Sequence, residues 1–215
     1  MAQNSFVLII EDHPLYKQAL VSLLKLSFPD SDIVGANTAE EAFAYLETQS
    51  SKIISKSVIL LDLTLPGLSS LELIDRIKSD YADGQILVIS GSDDPMRVAA
   101  CLGAGVKSFI SKSTPPDRIV ELIGRALRGS LSEQSWISIE GPKSLDHLPK
   151  IHLTSRQVQV LQLVVQGMSN KQIADELETT EATSKAHVSA ILKMLNVESR
   201  TQAVLAAQKL GFTTK

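Results

Sequence analysis

The chain has 215 residues, 44% of them hydrophobic and 21% charged, with a formal net charge of −3. This length suits one large domain or two small ones, and the apolar content supports a hydrophobic core. No apolar run approaches the length that spans a bilayer, and residues 1–5 lack the basic and apolar regions of a signal peptide. The single cysteine, Cys101, cannot form an internal disulfide and suits a reducing compartment. We therefore predict a cytoplasmic protein with no membrane partner.

The charge is divided unevenly along the chain. Residues 1–128 carry 12 Lys and Arg against 16 Asp and Glu, whereas residues 151–215 carry 7 against 5. A small positive excess is weak evidence by itself. It nevertheless makes the C-terminal third the candidate for contact with a polyanion.

Residues 1–128 alternate strand-like and helix-like segments. Apolar, partly β-branched runs typical of buried strands lie near 6–10, 32–36, 57–62, 85–90 and 108–111. Helical patterns lie near 14–28, 39–48, 69–80, 95–103 and 115–128. Thr38 with Glu41, and Thr114 followed by Pro115, predict two of the helix starts. The alternation predicts an α/β domain with a parallel sheet in the flavodoxin-like order 2-1-3-4-5 and helices on both faces.

The remainder of the chain has a different pattern. Residues 129–150 are rich in Gly, Ser and Pro and predict a linker, in which 136–139 forms either a short strand or a docked segment. Residues 151–215 predict an all-α domain of four helices. Two capping boxes, Thr154 with Gln157 and Ser169 with Gln172, mark the first two helix starts.

Polar side chains close three of the predicted strands. Glu11 and Asp12 follow the first strand, Asp62 ends the third and Ser90 ends the fourth. Because parallel strands present their carboxyl ends at one edge, we expect these groups to converge there, together with Lys112. Packed carboxylates repel one another unless a cation lies among them, and Mg²⁺ prefers such oxygen ligands. This set predicts a site where Asp62 attacks a phosphoryl group whose charge the metal and Lys112 offset.

Each residue has a plainer interpretation when taken alone. An acidic pair after a strand is more often a turn or a helix N-terminal charge, and a terminal Asp is as often an Asx-turn. Ser90 and Lys112 alone would usually be a cap and a solvated charge. Their order, each at a strand end, favours the phosphoryl site.

With these motifs, residues 6–128 resemble the receiver domain of bacterial response regulators. The matching stretches are 11–12, 62–67, 90–91 and 105–112. The resemblance implies that Asp62 accepts a phosphoryl group from a histidine kinase. It implies the following roles for the other residues: Mg²⁺ ligation by Glu11, Asp12, Asp62 and the Thr64 carbonyl, pairing of Lys112 with the phosphoryl group, and a switch formed by Ser90 and Phe109. Gly91 replaces a frequent alanine, and residues 50–56 look like an insertion, but neither departure removes a chemical group.

The helix near 180–195 is amphipathic. Its apolar stripe comprises Val188, Ile191, Leu192 and Leu195. The opposite side is small and basic enough for a major groove, with Ala182, Lys185, Ala186, Ser189 and Lys193. A solvated helix face is the alternative explanation for the lysines. The short capped helix that precedes it favours DNA.

Residues 153–211 resemble the LuxR-type helix-turn-helix of NarL/FixJ regulators through the stretches 167–174, 183–188 and 199–203. The implied DNA contacts are Ser169, Asn170, Lys171, Thr183, Lys185, Ala186, His187, Ser189 and Lys193. We interpret His187 as a phosphate contact. A core or capping histidine is a nearly equal alternative. Ser184 stands where valine is usual, and it should bury a hydroxyl that needs a partner.

These observations predict a phosphorylation-controlled DNA-binding transcriptional regulator, not an enzyme, that pairs as a homodimer on two half-sites of a double-stranded operator. Two alternatives stay open. One is a DNA-binding regulator whose receiver works without phosphorylation, and the other is a phosphoester hydrolase that uses the same acids.

Overall fold

A computed structural model describes residues 5–48, 57–66, 69–81, 84–131, 133–138 and 140–212. Its sheet contains β1 (Phe6–Ile10), β2 (Asp32–Ala36), β3 (Ser57–Asp62), β4 (Gln85–Ser90), β5 (Ser108–Ser111), β6 (Ser135–Ser138) and β7 (Gly141–Lys143). The strand order is β2-β1-β3-β4-β5-β6-β7. The predicted order 2-1-3-4-5 is confirmed, and two further strands extend the sheet beyond β5. The predicted insertion at 50–56 and Gly67 lie outside the described residues.

Five helices cover the two faces of this sheet: α1 (Pro14–Ser27), α2 (Ala39–Glu47), α3 (Ser70–Asp80), α4 (Pro95–Gly103) and α5 (Pro116–Leu127). Alternate side chains of the buried strands point to opposite faces and form two separate apolar clusters. One cluster packs under α2, α3 and α4, and the other packs under α1 and α5. Within the described ranges, every helix is too short or too polar to traverse a lipid bilayer.

The predicted start of α5 is wrong by one residue. We expected Thr114 as the cap and Pro115 as the first helical residue, but the helix begins at Pro116 and Pro115 takes the cap position. The residue before a proline is disfavoured in the helical region of backbone space. Pro115 therefore stays extended, with φ −55° and ψ 142°.

The described part of the predicted linker 129–150 contains two strands. Residues 135–138 form β6, which pairs in parallel with β5, and β7 closes an antiparallel hairpin onto it. The amide of Gln134 donates hydrogen bonds to the carbonyl oxygens of Leu102 (2.7 Å) and Val106 (2.8 Å). The strand alternative for 136–139 is thus confirmed for Trp136–Ser138, and residue 139 lies outside the described residues. The hairpin covers the edge of β5.

The C-terminal domain consists of four helices: α6 (Ser155–Val165), α7 (Asn170–Glu176), α8 (Glu181–Met194) and α9 (Arg200–Lys209). Both predicted capping boxes are present, at Thr154 with Gln157 and at Ser169 with Gln172. The four predicted helices are therefore confirmed. Helix α8 packs on α6, α7 and α9, which presents its opposite side outward.

The two domains share one apolar core. The cluster under α3 and α4 continues without a break into buried side chains of the C-terminal domain, among them Val158, Leu161 and Phe212. Helix α3 packs directly against α6. The receiver and the helical domain are therefore docked on one another in this structure.

Candidate phosphoryl site and nucleic-acid interface

Three charged side chains meet at the carboxyl edge of the sheet. Glu11 follows β1, Asp62 ends β3 and Lys112 follows β5. The two carboxylates are 0% and 1% exposed. The ammonium nitrogen of Lys112 lies 2.6 Å from Glu11 Oε2 and 3.0 Å from Asp62 Oδ2. The fold thus brings together residues that are about fifty positions apart in the chain.

The environment keeps Lys112 charged. Burial lowers its pKa, but hydrogen bonds to Glu11 and Asp62 and the charges of these carboxylates outweigh burial, so that the pKa is raised. Its ammonium group also lies 4.8 Å from the centre of the Tyr16 ring, within cation–π range. Burial, followed by the charges of Glu11 and Asp62, raises the pKa of Tyr16 to about 12. The Tyr16 hydroxyl therefore stays protonated at any physiological pH, and this uncharged side chain lines the site.

The acidic groups include buried oxygen atoms that suit a cation. Asp62 Oδ1 and Asp12 Oδ1 are buried and have no hydrogen-bond partner among the described residues. A buried carboxylate oxygen without a partner is costly. Glu11, Asp12, His13 and Asp62 each offer one ligand atom, and these atoms all lie within 4.8 Å of one another. The three carboxylates carry more negative charge than the one ammonium group of Lys112 can offset. Their oxygen atoms are ligands that suit a hard divalent ion such as Mg²⁺.

Of the other predicted site residues, Thr64 contacts Asp62, and Ser90 ends the neighbouring strand β4. The Thr64 hydroxyl donates a hydrogen bond to Asp62 Oδ2 at 2.5 Å. Ser90 is fully buried at the end of β4, one position beyond Ile89, which pairs with Asp62 in register. Its hydroxyl oxygen accepts a hydrogen bond from the Ser92 backbone at 3.2 Å. Phe109 is already fully buried, so a switch that uses it needs no further inward movement of the ring.

His13 is a member of the cluster that sequence reasoning missed. Its Nδ1 lies 3.0 Å from Glu11 Oε1 and 3.0 Å from Asp12 Oδ1. The only available signal was its position directly after the acidic pair. A lone histidine before a proline is ordinarily assigned to a helix start, and this one does occupy the N-cap position of α1.

The predicted DNA face is exposed. On α8 the side chains of Thr183, Lys185, Ala186, Ser189 and Lys193 all reach solvent, and His187 is partly buried. Ser169 and Lys171 are exposed at the start of α7, next to the partly buried Asn170. The Ser169 hydroxyl oxygen accepts a hydrogen bond from the backbone N–H of Gln172 and so caps the start of α7. The receiver leaves the predicted base-facing side chains of α8 uncovered.

The apolar side of α8 follows the predicted stripe. Ile191 and Leu195 are buried, whereas Val188 and Leu192 are partly buried. Ser184 is fully buried, and its hydroxyl has no hydrogen-bond partner among the described residues. The prediction that Ser184 faces the core is confirmed, and the partner that its hydroxyl needs is missing.

Polar contacts join the two domains near α3, α4 and α9. The Ser155 hydroxyl donates to Asp75 Oδ1 at 2.5 Å, and Arg97 Nε donates to the Lys209 carbonyl oxygen at 2.9 Å. Gly103 lies against the backbone of Ile151, where a Cβ atom would overlap the Ile151 carbonyl oxygen. The receiver therefore contacts the end of α9 and the start of α6.

Comparisons with known proteins agree with this architecture. Residues 7–124 match the family described as response regulator receiver domain, and residues 152–207 match bacterial regulatory proteins of the luxR family. The chain is 31% identical over 217 residues to the glycerol metabolism activator of Pseudomonas putida, covering 96% of each protein. It is 33% identical over 210 residues to the nitrate/nitrite response regulator protein NarP of Escherichia coli K12, covering 95% of each.

The fold is also shared with a solved two-domain structure. RcsB from Salmonella enterica serovar Typhimurium, bound to the promoter rprA with the phosphomimetic BeF₃⁻, has 20% identity and a TM-score of 0.60 over 95% of this chain and 98% of its own. The family matches and the relatives together place the chain among response regulators of the NarL/FixJ type, DNA-binding transcriptional regulators of two-component systems in which a receiver domain precedes a LuxR-type helix-turn-helix domain.

Proposed function

We propose that Asp62 is the phosphoryl acceptor of this regulator and that its phosphorylation controls DNA binding by α8. The observation that carries the proposal is the ion-paired edge where Lys112 contacts both Glu11 and Asp62. Among these acids, Asp62 sits at the end of β3, a fully buried inner strand, and its Oδ1 has no hydrogen-bond partner among the described residues. A carboxylate oxygen of this kind can act as a nucleophile.

The transfer is a simple displacement. An oxygen of Asp62 forms a bond to phosphorus as the P–N bond of a kinase phosphohistidine breaks, and the leaving ring nitrogen takes its proton from water. Lys112 Nζ, 3.0 Å from Asp62 Oδ2, offsets charge on the transferred group. The Ser90 hydroxyl is positioned at the next strand end to donate to the product. Glu11, Asp12, Asp62 and the Thr64 carbonyl would hold Mg²⁺, which supplies further charge neutralisation when bound.

For DNA binding, we assign Lys185 and Ser189 to contacts with base edges. We assign the following residues to contacts with phosphates: Ser169, Asn170, Lys171 and Lys193. Thr183, Ala186 and His187 flank the same surface. One short helix reads too few base pairs to be selective, so two copies of the chain bind two half-sites. Because α8 is exposed here, the receiver controls pairing of the DNA-binding domains through α9; it does not cover the reading face.

The test compares the unmodified chain with its acetyl-phosphate-treated form, with and without Mg²⁺, on DNA selected in vitro from random duplexes. We expect Mg²⁺-dependent labelling that Asp62→Asn abolishes, together with tighter, cooperative DNA binding of the labelled form. Asp12→Ala should weaken Mg²⁺ binding at least about tenfold, or about 1.4 kcal/mol. Full labelling of Asp62→Asn would exclude the acceptor assignment.

The same experiment separates the alternatives. Equal DNA binding with and without the phosphoryl group would favour a receiver that works without phosphorylation. Sustained turnover of small phosphoesters, lost in Asp62→Asn, would favour a hydrolase. No described feature of the C-terminal domain serves such an enzyme, whereas the exposed basic face of α8 serves a DNA-binding regulator directly.

A further inference from the structure

Lys112 has an aromatic neighbour as well as its two acids. Its ammonium nitrogen lies 2.6 Å from Glu11 Oε2, 3.0 Å from Asp62 Oδ2 and 4.8 Å from the centre of the Tyr16 ring. The Lys112 side chain is 18% exposed, and the two carboxylates are buried. The attraction between a cation and a ring is strongest where both are shielded from water. The Tyr16 ring is thus a third partner of the ammonium group.

Helix α1 holds this ring in place. Tyr16 lies in the first turn of α1 and packs against the apolar cluster under α1 and α5. Its hydroxyl oxygen is buried and makes no hydrogen bond within the described ranges. Because no hydrogen bond fixes the side chain there, the packing of the ring and its contact with Lys112 determine its position.

Phosphorylation changes the two acids but leaves the ring as it was. When an oxygen of Asp62 forms its bond to phosphorus, the carboxylate loses the charge that attracts Lys112. A divalent ion bound by Glu11 takes up part of the charge of the second acid. Tyr16 has no carboxylate to lose, so its ring attracts the ammonium group equally before and after the transfer.

We propose that Tyr16 is a positioning residue for Lys112, and that the face of its ring keeps the ammonium group beside the phosphoryl group during transfer. The inference rests on the proposed function, because it assumes transfer to Asp62. In the unmodified site the carboxylates hold Lys112, and the ring holds it once the metal and phosphorus engage them. The attraction comes from the negative face of the aromatic ring, so it does not depend on the hydroxyl.

The experiment measures the rate at which acetyl phosphate labels the full chain at saturating Mg²⁺. Acetyl phosphate gives its phosphoryl group to Asp62 and releases acetate. Tyr16→Leu, which keeps an apolar side chain without a ring, should lower the labelling rate about tenfold. Tyr16→Phe keeps the ring and should restore the rate to within about twofold of the native value. Equal losses in these two variants would overturn the role of the ring.

A fluorinated series separates attraction from packing. Phenylalanine analogues with increasing numbers of fluorine atoms, placed at residue 16, keep the shape of the ring and weaken its negative face. The labelling rate should fall with each added fluorine, and a constant rate would overturn the proposal. The matched control is the same series at Phe43, whose ring lies 3.9 Å from Arg76 Cζ on helices that carry none of the predicted site residues. This control series should leave the rate unchanged.

Removal of Lys112 distinguishes positioning from support of the fold. In a Lys112→Met background, Tyr16→Leu should change the residual labelling rate by less than about twofold, because the ring has no cation left to hold. An equal loss in both backgrounds would mean that Tyr16 only supports the fold, and the proposal would be wrong. Either outcome leaves Asp62 as the acceptor, whereas full labelling of Asp62→Asn would overturn the proposed function itself.

Discussion

Arg97 on the receiver donates a hydrogen bond to the carbonyl oxygen of Lys209, the last residue of α9, at 2.9 Å. Arg97 lies in the first turn of α4, seven positions after Ser90, and Asp94 caps that turn through the amides of Met96 and Arg97. The loop that follows Ser90 leads directly into this turn, so we expect a rearrangement of the loop to change the contact between Arg97 and α9. This contact links the phosphoryl site to the helix that we assign to pairing on DNA.

We predict that Arg97→Ala strengthens DNA binding by the unphosphorylated chain. One hydrogen bond is worth about 1 kcal/mol, so the affinity for selected DNA should rise about fivefold. Phosphorylation should then raise the DNA affinity of this variant by a correspondingly smaller factor. The matched control is Arg118→Ala, which removes an exposed arginine whose ion pair with Glu121 lies within α5. Unchanged affinity of Arg97→Ala would mean that this contact does not restrain the output.

Gly103→Ala should weaken the contact between the two domains through a steric overlap. The added Cβ would overlap the Ile151 carbonyl oxygen, and the backbone on both sides must separate. We expect faster proteolysis between the domains and DNA binding less dependent on phosphorylation. Retention of native protection from protease would show that the docked arrangement tolerates the methyl group.

We predict that Lys112→Met lowers stability in the absence of metal by about 3 kcal/mol, because it leaves two buried carboxylates without their partner. Added Mg²⁺ should restore more stability to this variant than to the native chain. Since the pKa of Lys112 is raised by folding, its contribution is fully present below about pH 10 and is lost as the pH rises through the raised pKa. Urea unfolding with Lys25→Met, an exposed lysine of α1, as the control would measure these differences.

Lys185 and Lys193 should behave differently on DNA. Lys185→Ala should cost about 1–3 kcal/mol and relax the preference at one operator position, because we assign it to a base edge. Lys193→Ala should weaken binding to all sequences alike. It should also reduce the slope of the logarithm of the binding constant against the logarithm of salt concentration by about one. Binding titrations over several salt concentrations and base substitutions separate the two effects. A uniform loss in Lys185→Ala with intact preference would reverse the assignment.

Ser184→Ala should stabilise the C-terminal domain by about 1 kcal/mol, because it removes a buried hydroxyl without a partner and leaves the surrounding volume nearly unchanged. DNA affinity should stay the same, since Ser184 is covered by the helical core. Thr201→Ala on the exposed side of α9 is the control. A destabilised Ser184→Ala would indicate that the hydroxyl has a partner, such as a buried water.

The sequence alone determined the elements and the edge where the site lies. Strand and helix positions follow from apolar periodicity, and capping boxes such as Ser169 with Gln172 mark helix starts within four residues. The right-handed parallel topology then places the end of β3 beside the end of β1. Glu11 and Asp62 were predictable neighbours for this reason, although they are distant in the chain.

Only the tertiary structure decided how the two domains meet and what surrounds the acids. The docking of Ser155 on Asp75, the exposure of α8 and the pairing of β6 with β5 depend on contacts between distant segments, which local patterns do not encode. Residues 135–138 are too short for a clear periodic signal, and their pairing is decided by the free edge of β5. His13 belongs to the same class, because its place in the site depends on how its ring turns toward Glu11 and Asp12.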